Sequence, residues 1–216
     1  MLLAACLIVI FPGFFLRPNS ISITDSLAKF LGFAFMLFGL LLRICARGFK
    51  AENSKQGLAL VTGGPYKFTR NPMYLGIIMI GMGLVMLFFK LWVILVFLII
   101  FAARYTLLTL KEERALALRF GKEYENYTQA TPRLFPKWNI VMRKDIKEML
   151  PLRLSWVQRD IGILIAFVAG ALIIESWLGI SAYGLKLCIK ELSGFLLLLV
   201  LFIFCIFYLN SVNKEI

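Results

Sequence analysis

Residues 73–110 have the sequence MYLGIIMIGMGLVMLFFKLWVILVFLIIFAARYTLLTL, and this stretch decides the fold. It contains two apolar runs, 73–89 and 91–110, with only Lys90 between them. An apolar run of about 18 or more residues is long enough to cross a bilayer as a helix. Because one residue cannot carry the chain back across a membrane, the two runs must form an antiparallel helical hairpin.

The hairpin is flanked by four further apolar runs, two before it at 2–16 and 26–46 and two after it at 161–180 and 192–209. The chain is 61% hydrophobic with a mean hydropathy of +0.85, which few soluble domains reach. The pattern predicts an all-α, multi-pass transmembrane protein of about six spans. The first run is short, but no Lys or Arg precedes it as in a signal peptide, so we count it as a thin or tilted span.

We expect one membrane domain over residues 1–216, because the spans and their loops fill the chain. Its predicted parts are the N-terminal spans (2–46), a core (60–136) that contains the hairpin (73–110), an interfacial segment (137–160) and two C-terminal spans (161–209). In the interfacial segment, apolar residues alternate with basic ones, which predicts an amphipathic helix on the membrane surface that ends near Pro151. The alternative is a plain connector.

The basic charge is concentrated in two loops. The chain carries 24 Lys and Arg against 12 Asp and Glu, a net charge of +12. Residues 43–72 hold six of the basic residues and residues 111–160 hold eleven. By the positive-inside rule both loops face the cytoplasm, in a bacterial inner membrane or the endoplasmic reticulum. Charge placed there serves orientation and contact with anionic lipid, and we expect no nucleic-acid partner.

The sequence contains no histidine, which excludes a His general base, a Ser-His or Cys-His pair and a His metal ligand. The four cysteines are scattered, mostly inside apolar runs, without the spacing of a metal site or a disulfide framework. We therefore predict no metal site.

The first foot of the hairpin is Arg70-Asn71-Pro72-Met73-Tyr74. Pro72 suits the first turn of a helix, and Asn71 then falls at the N-cap, where Asn is favoured. A helix N-terminus also offers free N–H groups and a positive dipole end to a carboxylate or phosphate. The alternative is simply a capped membrane helix.

The second foot begins with Glu112 and Glu113, two carboxylates that are costly near lipid unless they face water or a partner. On one continuous helix, Glu113 would share a face with Phe120, Tyr124 and Tyr127. Such an acidic and aromatic surface can bind a cationic ligand. The alternative is an ordinary interfacial helix with Tyr at headgroup level.

Taken in order, these motifs resemble the integral membrane methyltransferases that include isoprenylcysteine carboxyl methyltransferases and phospholipid N-methyltransferases. The resemblance covers residues 64–136: Gly64-Pro65-Tyr66 through Tyr74, then Glu112-Glu113, Phe120-Gly121 through Tyr127, and finally Pro132-Arg133 and Pro136. It implies S-adenosylmethionine as methyl donor, held on the cytoplasmic side, and a lipid or lipidated substrate.

The resemblance also implies a cofactor site that is closed by Pro136 and built from both feet: Tyr66, Arg70, Asn71, Pro72, Tyr74, Glu112, Glu113, Tyr124, Tyr127 and Arg133. Its candidate catalytic residues are Glu113, which could accept a proton from an amine, and Arg104. Asn71 stands where many relatives have His. Leu107 and Leu108 occupy the turn where the isoprenylcysteine branch has Arg, so we favour a phospholipid amine over a prenylcysteine carboxylate.

Two other functions remain open. Sterol-type membrane reductases share a similar His-Pro-x-Tyr and C-terminal tyrosine pattern but use NADPH, and this chain is short for that group. A non-enzymatic scaffold or small-solute carrier would have broken half-helices in the middle of the membrane, and Gly81 and Gly83 are compatible with one. We expect those two glycines to serve helix packing instead. The oligomeric state is not encoded in any pattern.

Overall fold

The computed structural model describes residues 12–17, 22–136 and 149–212. Its six long or medium helices are α1 Ile23–Asn53, α2 Pro72–Phe88, α3 Trp92–Phe120, α4 Lys122–Ala130, α5 Leu154–Tyr183 and α6 Leu185–Val212. Short helical turns occupy Pro12–Phe15, Lys55–Gly57 and Gly64–Lys67. The described ranges contain no strand, so the predicted all-α class is confirmed.

Four of the helices, α1, α3, α5 and α6, are long and apolar enough to cross a bilayer. Helix α2 is apolar but has 17 residues. The chain is therefore a multi-pass membrane protein. The count of six spans stays a prediction, because most of the first run, residues 2–11, lies outside the described residues.

Several helix boundaries differ from the sequence-based expectation, including the end of α1, which lies at Asn53 and not at residue 46. Helix α3 continues ten residues past its apolar run to Phe120, because residues 111–120 are rich in the good helix formers Lys, Glu, Ala and Leu. Helix α5 begins at Leu154, so residues 154–160 are the first turns of this long helix, seven residues before the predicted span at 161. The remainder of the predicted interfacial helix, residues 137–148, lies outside the described residues.

The predicted hairpin is present, with α2 ending at Phe88 and α3 beginning at Trp92. Its tip is fixed to the short segment 12–17. Lys90 donates from its backbone N–H to the Phe15 carbonyl (3.0 Å) and from its ammonium to the Gly13 carbonyl (2.7 Å).

Helices α1 and α2 make the closest helix pair, and glycines allow it. A Cβ on Gly39 of α1 would lie 2.7 Å from the Gly76 carbonyl of α2, and a Cβ on Gly32 would lie 2.8 Å from the Gly83 carbonyl. Each helix carries its two glycines seven residues apart, so both contacts fall on one face. Such small residues let helix backbones approach closely inside a membrane, which confirms the packing role expected for Gly83.

Helices α5 and α6 pack on the same long helix. The Trp156 ring covers Gly48 of α1, and its indole N–H donates to Glu52 (2.6 Å). Arg47 donates to Asp160 (2.7 Å). These contacts hold the C-terminal end of α1 in place, next to the loop that leads to the first foot of the hairpin.

Candidate functional site

The two feet of the hairpin meet. The Tyr74 hydroxyl, in the first turn of α2, donates to the Glu112 carboxylate of α3 (2.7 Å). The Tyr74 ring also lies edge-on to the Tyr105 ring, with centroids 4.7 Å apart. The polar ends of α2 and α3 are thus joined by a direct hydrogen bond at one end of the helical bundle.

Glu113 is the centre of an ion-pair cluster. Arg133 donates to both of its oxygens, through Nε (3.1 Å) and Nη2 (2.7 Å). Arg70 reaches the same carboxylate from the other side (3.1 Å). Both oxygens of Glu113 are thus engaged by guanidinium groups, and this geometry favours a structural role.

The segment around Arg133 closes the first foot. The Arg133 carbonyl accepts hydrogen bonds from the Asn71 side-chain amide (2.9 Å) and the Thr69 hydroxyl (3.2 Å). The Arg70 backbone N–H donates to the Pro132 carbonyl (2.9 Å). Asn71 occupies the N-cap position of α2 as expected, but its side chain makes no capping bond, because its amide is turned to Arg133 instead.

Tyr124 and Tyr127 do not lie on the helix face of α3 that carries Glu113. Gly121 has a positive φ of 49° and separates α3 from α4, so the expected single aromatic face over 113–127 is wrong. The redirected α4 buries Tyr124 and Tyr127, and the Tyr127 hydroxyl donates to the Tyr66 carbonyl (2.7 Å). Burial raises the pKa values of Tyr66 and Tyr127, which keeps both phenols protonated as hydrogen-bond donors.

A cavity of about 350 Å³ lies at this end of the bundle. Its walls come from the end of α1, the loop after it, the foot of α2, the extended part of α3 and one side chain of α4. The lining residues are Lys50, Ser54, Gly57, Ala59, Leu60, Val61, Tyr66, Arg70, Asn71, Pro72, Met73, Tyr74, Glu112, Leu116, Arg119, Phe120 and Tyr127. The volume lies within the range of about 300–1,000 Å³ that small-molecule sites occupy.

The cavity walls carry charges of both signs. Glu112 supplies a carboxylate, whereas Lys50, Arg70 and Arg119 supply cations. The pattern suits a ligand that bears a positive centre and an anionic group, with apolar wall between them.

The predicted site residues divide into three groups. Those on the cavity wall are Tyr66, Arg70, Asn71, Pro72, Tyr74, Glu112 and Tyr127. Glu113, Tyr124 and Arg133 lie behind the wall, where they support it through the ion-pair cluster and α4. Arg104 is exposed on α3, two helical turns from Glu112 and off the wall.

Sequence reasoning missed the wall formed by Lys50, Ser54 and Arg119. Lys50 and Ser54 end a helix that was expected to stop at residue 46, and Arg119 lies on a helix expected to stop at residue 110. The loop that directly follows Ser54 also has an unusual backbone, with positive φ at Lys55, Gln56 and Gly57. The signal that could have found these residues is the helix-forming composition of both extensions.

The pair of Glu113 and Arg133 gives a stability prediction. We expect Glu113→Ala to lower the melting temperature more than Arg133→Ala, because it leaves Arg70 and Arg133 facing each other without a carboxylate. In a double-mutant cycle measured by thermal unfolding in detergent, we expect a coupling energy of about 0.5–3 kcal/mol. Strictly additive effects of the two substitutions would show that the contact is unimportant.

Fold and site together define a multi-pass membrane protein with a cavity at one end of its helices that carries charged groups on a largely apolar wall. Residues 20–123 match the family model of phospholipid methyltransferases, which is just under half of the chain. The match confirms the resemblance to integral membrane methyltransferases and points to a methyltransferase. It includes Tyr74 and Glu112 but ends before α4 is complete. No curated protein and no solved structure is significantly similar to the chain.

Proposed function

We propose that the protein is an S-adenosylmethionine-dependent methyltransferase that methylates the amine of a membrane phospholipid. The observation that carries this proposal is the position of Glu112, which lies on the cavity wall in contact with Tyr74. The helix that carries Glu112 is otherwise turned to the membrane, since most of its apolar stretch is exposed. A lipid headgroup at the bilayer surface can therefore reach the same carboxylate as a ligand in the cavity.

The chemistry of the cavity walls fits the methyl donor. When bound, S-adenosylmethionine supplies a methyl group already activated by a sulfonium. Glu112 and the Tyr74 ring offer a carboxylate and an aromatic face to that positive centre. Arg119, Arg70 and Lys50 offer charge-assisted hydrogen bonds to the carboxylate of the donor.

Glu112 also serves as the proton acceptor in this proposal. A phospholipid amine is protonated in water and must lose a proton before it can act as a nucleophile. The Glu112 carboxylate can accept that proton while Tyr74 keeps one of its oxygens oriented through their hydrogen bond. This assigns to Glu112 the base role that the sequence pattern alone suggested for Glu113, whose two oxygens are held by arginines.

An amine substrate is favoured over a carboxylate by the residues next to the site. The helical turn before Glu112 presents Leu107 and Leu108 at its surface, 73% and 40% exposed, and no arginine. A substrate carboxylate would find no guanidinium there. Arg104 is a turn further into the membrane and is not part of the wall.

We further propose that the cavity faces the cytoplasm. The cavity lies at the end of the bundle where α1 ends and α2 begins, within the two loop regions richest in Lys and Arg. The positive-inside rule then places this end on the cytoplasmic side of a bacterial inner membrane or of the endoplasmic reticulum.

Calorimetry with S-adenosylhomocysteine on the purified protein tests cofactor binding. We expect saturable binding to the wild type and at least about tenfold weaker binding to Arg119→Gln, because a charge-assisted hydrogen bond contributes about 1.5–3 kcal/mol. The matched control is Arg114→Gln, an exposed arginine on the same helix and off the cavity wall. Absence of binding to the wild type, combined with a thermal shift by NADPH, would replace the proposal by a reductase function.

A further inference from the structure

Three charged side chains lie between helices at the end of the bundle opposite the cavity. Lys29 of α1 is 2% exposed and Glu175 of α5 is 5% exposed. The Lys29 ammonium contacts the Glu175 carboxylate directly and lies 3.5 Å from the Glu191 carboxylate of α6. Ionisable groups at membrane depth are costly, so an arrangement of this kind calls for a physical account.

The two carboxylates of this cluster are held differently. Lys29 is closest to Glu175, and Glu191 is held by two long contacts, from Lys29 at 3.5 Å and from the Ser26 hydroxyl at 3.3 Å. The nearby Arg17 guanidinium lies 3.7 Å from Asp25. Arg17 also acts electrostatically on Glu175. Of the two carboxylates, Glu191 thus has the longer contacts in the described part of the chain, and it is the one that borders a cavity.

A cavity of about 420 Å³ adjoins Glu191 between the first turns of α1 and α6. Leu27, Phe30 and Leu187 form its apolar wall, whereas Ser26, Lys190 and Glu191 supply its polar groups. Leu27 is 57% exposed and Leu187 is 38% exposed, so the apolar wall continues onto the membrane-facing surface. The cavity thus presents a carboxylate, an ammonium and an apolar surface side by side.

The depth of the cavity matches a lipid headgroup. Lys29 and Glu191 each follow the start of their helix by six residues, or roughly 9 Å at 1.5 Å per residue. Helices of 28 to 31 residues are roughly 42–46 Å long at 1.5 Å per residue, which exceeds the hydrocarbon core of about 30 Å. A position about 9 Å from the helix start therefore falls near the boundary between headgroups and acyl chains.

We propose that this cavity binds an amine-headed zwitterionic phospholipid of the leaflet opposite the catalytic site. The lipid ammonium pairs with Glu191, while the lipid phosphate pairs with Lys190, so that the two charges of the headgroup match the two charges on the cavity wall. The acyl chains lie against Leu27 and Leu187. An anionic lipid without an amine lacks the group that Glu191 requires. The site is separate from the methyl-transfer cavity and does not depend on that reaction.

Photocrosslinking in nanodiscs tests this site without any methyl donor. The probe is phosphatidylethanolamine with a diazirine near the head of one acyl chain, compared with the same probe built on phosphatidylglycerol, and labelled peptides are mapped by mass spectrometry. We expect the ethanolamine probe to label the first turns of α1 and α6 several-fold more than the glycerol probe. Glu191→Gln should reduce that labelling about tenfold or more, as expected for loss of a charge-assisted contact.

Two further variants make the result specific. Lys186→Gln removes an exposed cation at the same helix end but off the cavity wall, and we expect wild-type labelling. Leu27→Trp fills the cavity without changing any charge, and we expect it to reduce labelling even if Glu191→Gln unfolds the protein. Equal labelling by both probes, or wild-type labelling of the Leu27→Trp variant, would overturn the proposal.

Discussion

Glu112→Gln is expected to lower methyl incorporation into membrane lipid by about a hundredfold or more, the range that positioned general acid–base groups contribute. The substitution keeps the shape of the side chain and can still accept the hydrogen bond from Tyr74. It removes the negative charge that faces the cavity and with it the capacity to take a proton from an amine. The measurement is transfer of tritiated methyl from S-adenosylmethionine into lipid extracts of membranes that contain the variant.

The matched control for this experiment is Glu123→Gln. Glu123 is an exposed carboxylate at the start of α4 and is not part of the cavity wall, so its loss changes the net charge equally. We expect near wild-type transfer from it. The label should withstand mild base, because a methylated amine is stable where a methyl ester hydrolyses. Full activity of Glu112→Gln would remove this residue from the mechanism.

Gly39→Val is expected to cause a large loss of stability. A Cβ at this position would lie 2.7 Å from the Gly76 carbonyl and 2.8 Å from the Ile80 backbone nitrogen. These are backbone atoms in the middle of a helix and cannot turn aside as a flexible side chain can. The two helices must therefore separate, and we expect a cost of about 3 kcal/mol or more, at the upper end of overpacking effects.

Thermal unfolding in detergent, followed by circular dichroism, measures this effect. The matched control is Gly170→Val in α5, where a Cβ would meet no atom within 4 Å. It introduces the same side chain into a membrane helix without a steric conflict, so we expect a melting temperature close to that of the wild type. A Gly39→Val protein that melts with the control would show that α1 and α2 do not depend on close contact.

The fold followed from the sequence because its main signal is local. The length of each apolar run and the single residue between two of them specified the hairpin before any tertiary contact was known. The helix ends were harder to predict. Residues 47–53 and 111–120 extend two helices beyond their apolar runs. Hydropathy does not predict these extensions, because they are polar, whereas helix propensity does.

The sequence predicted seven of the residues that line the cavity, but not the arrangement of the two glutamates. Motif order identified Tyr74 and both glutamates, yet it could not tell which carboxylate faces the cavity. Neighbouring residues on a helix point about 100° apart, so the choice depends on the partners that surround the helix. Arg133 comes from a segment twenty residues away and engages Glu113, which leaves Glu112 for the cavity.

The cavity walls come from residues 50–127, and in the described part of the chain neither α5 nor α6 contributes to them. Helix α5 instead packs against α1, where the Trp156 indole donates a hydrogen bond to Glu52. The cavity at the feet of the hairpin and the packing of the C-terminal helices on α1 therefore involve different parts of the chain. Substitutions in α5 or α6 that adapt the protein to a thicker or thinner membrane should therefore leave the cavity unchanged, provided that the Trp156–Glu52 hydrogen bond to α1 is retained.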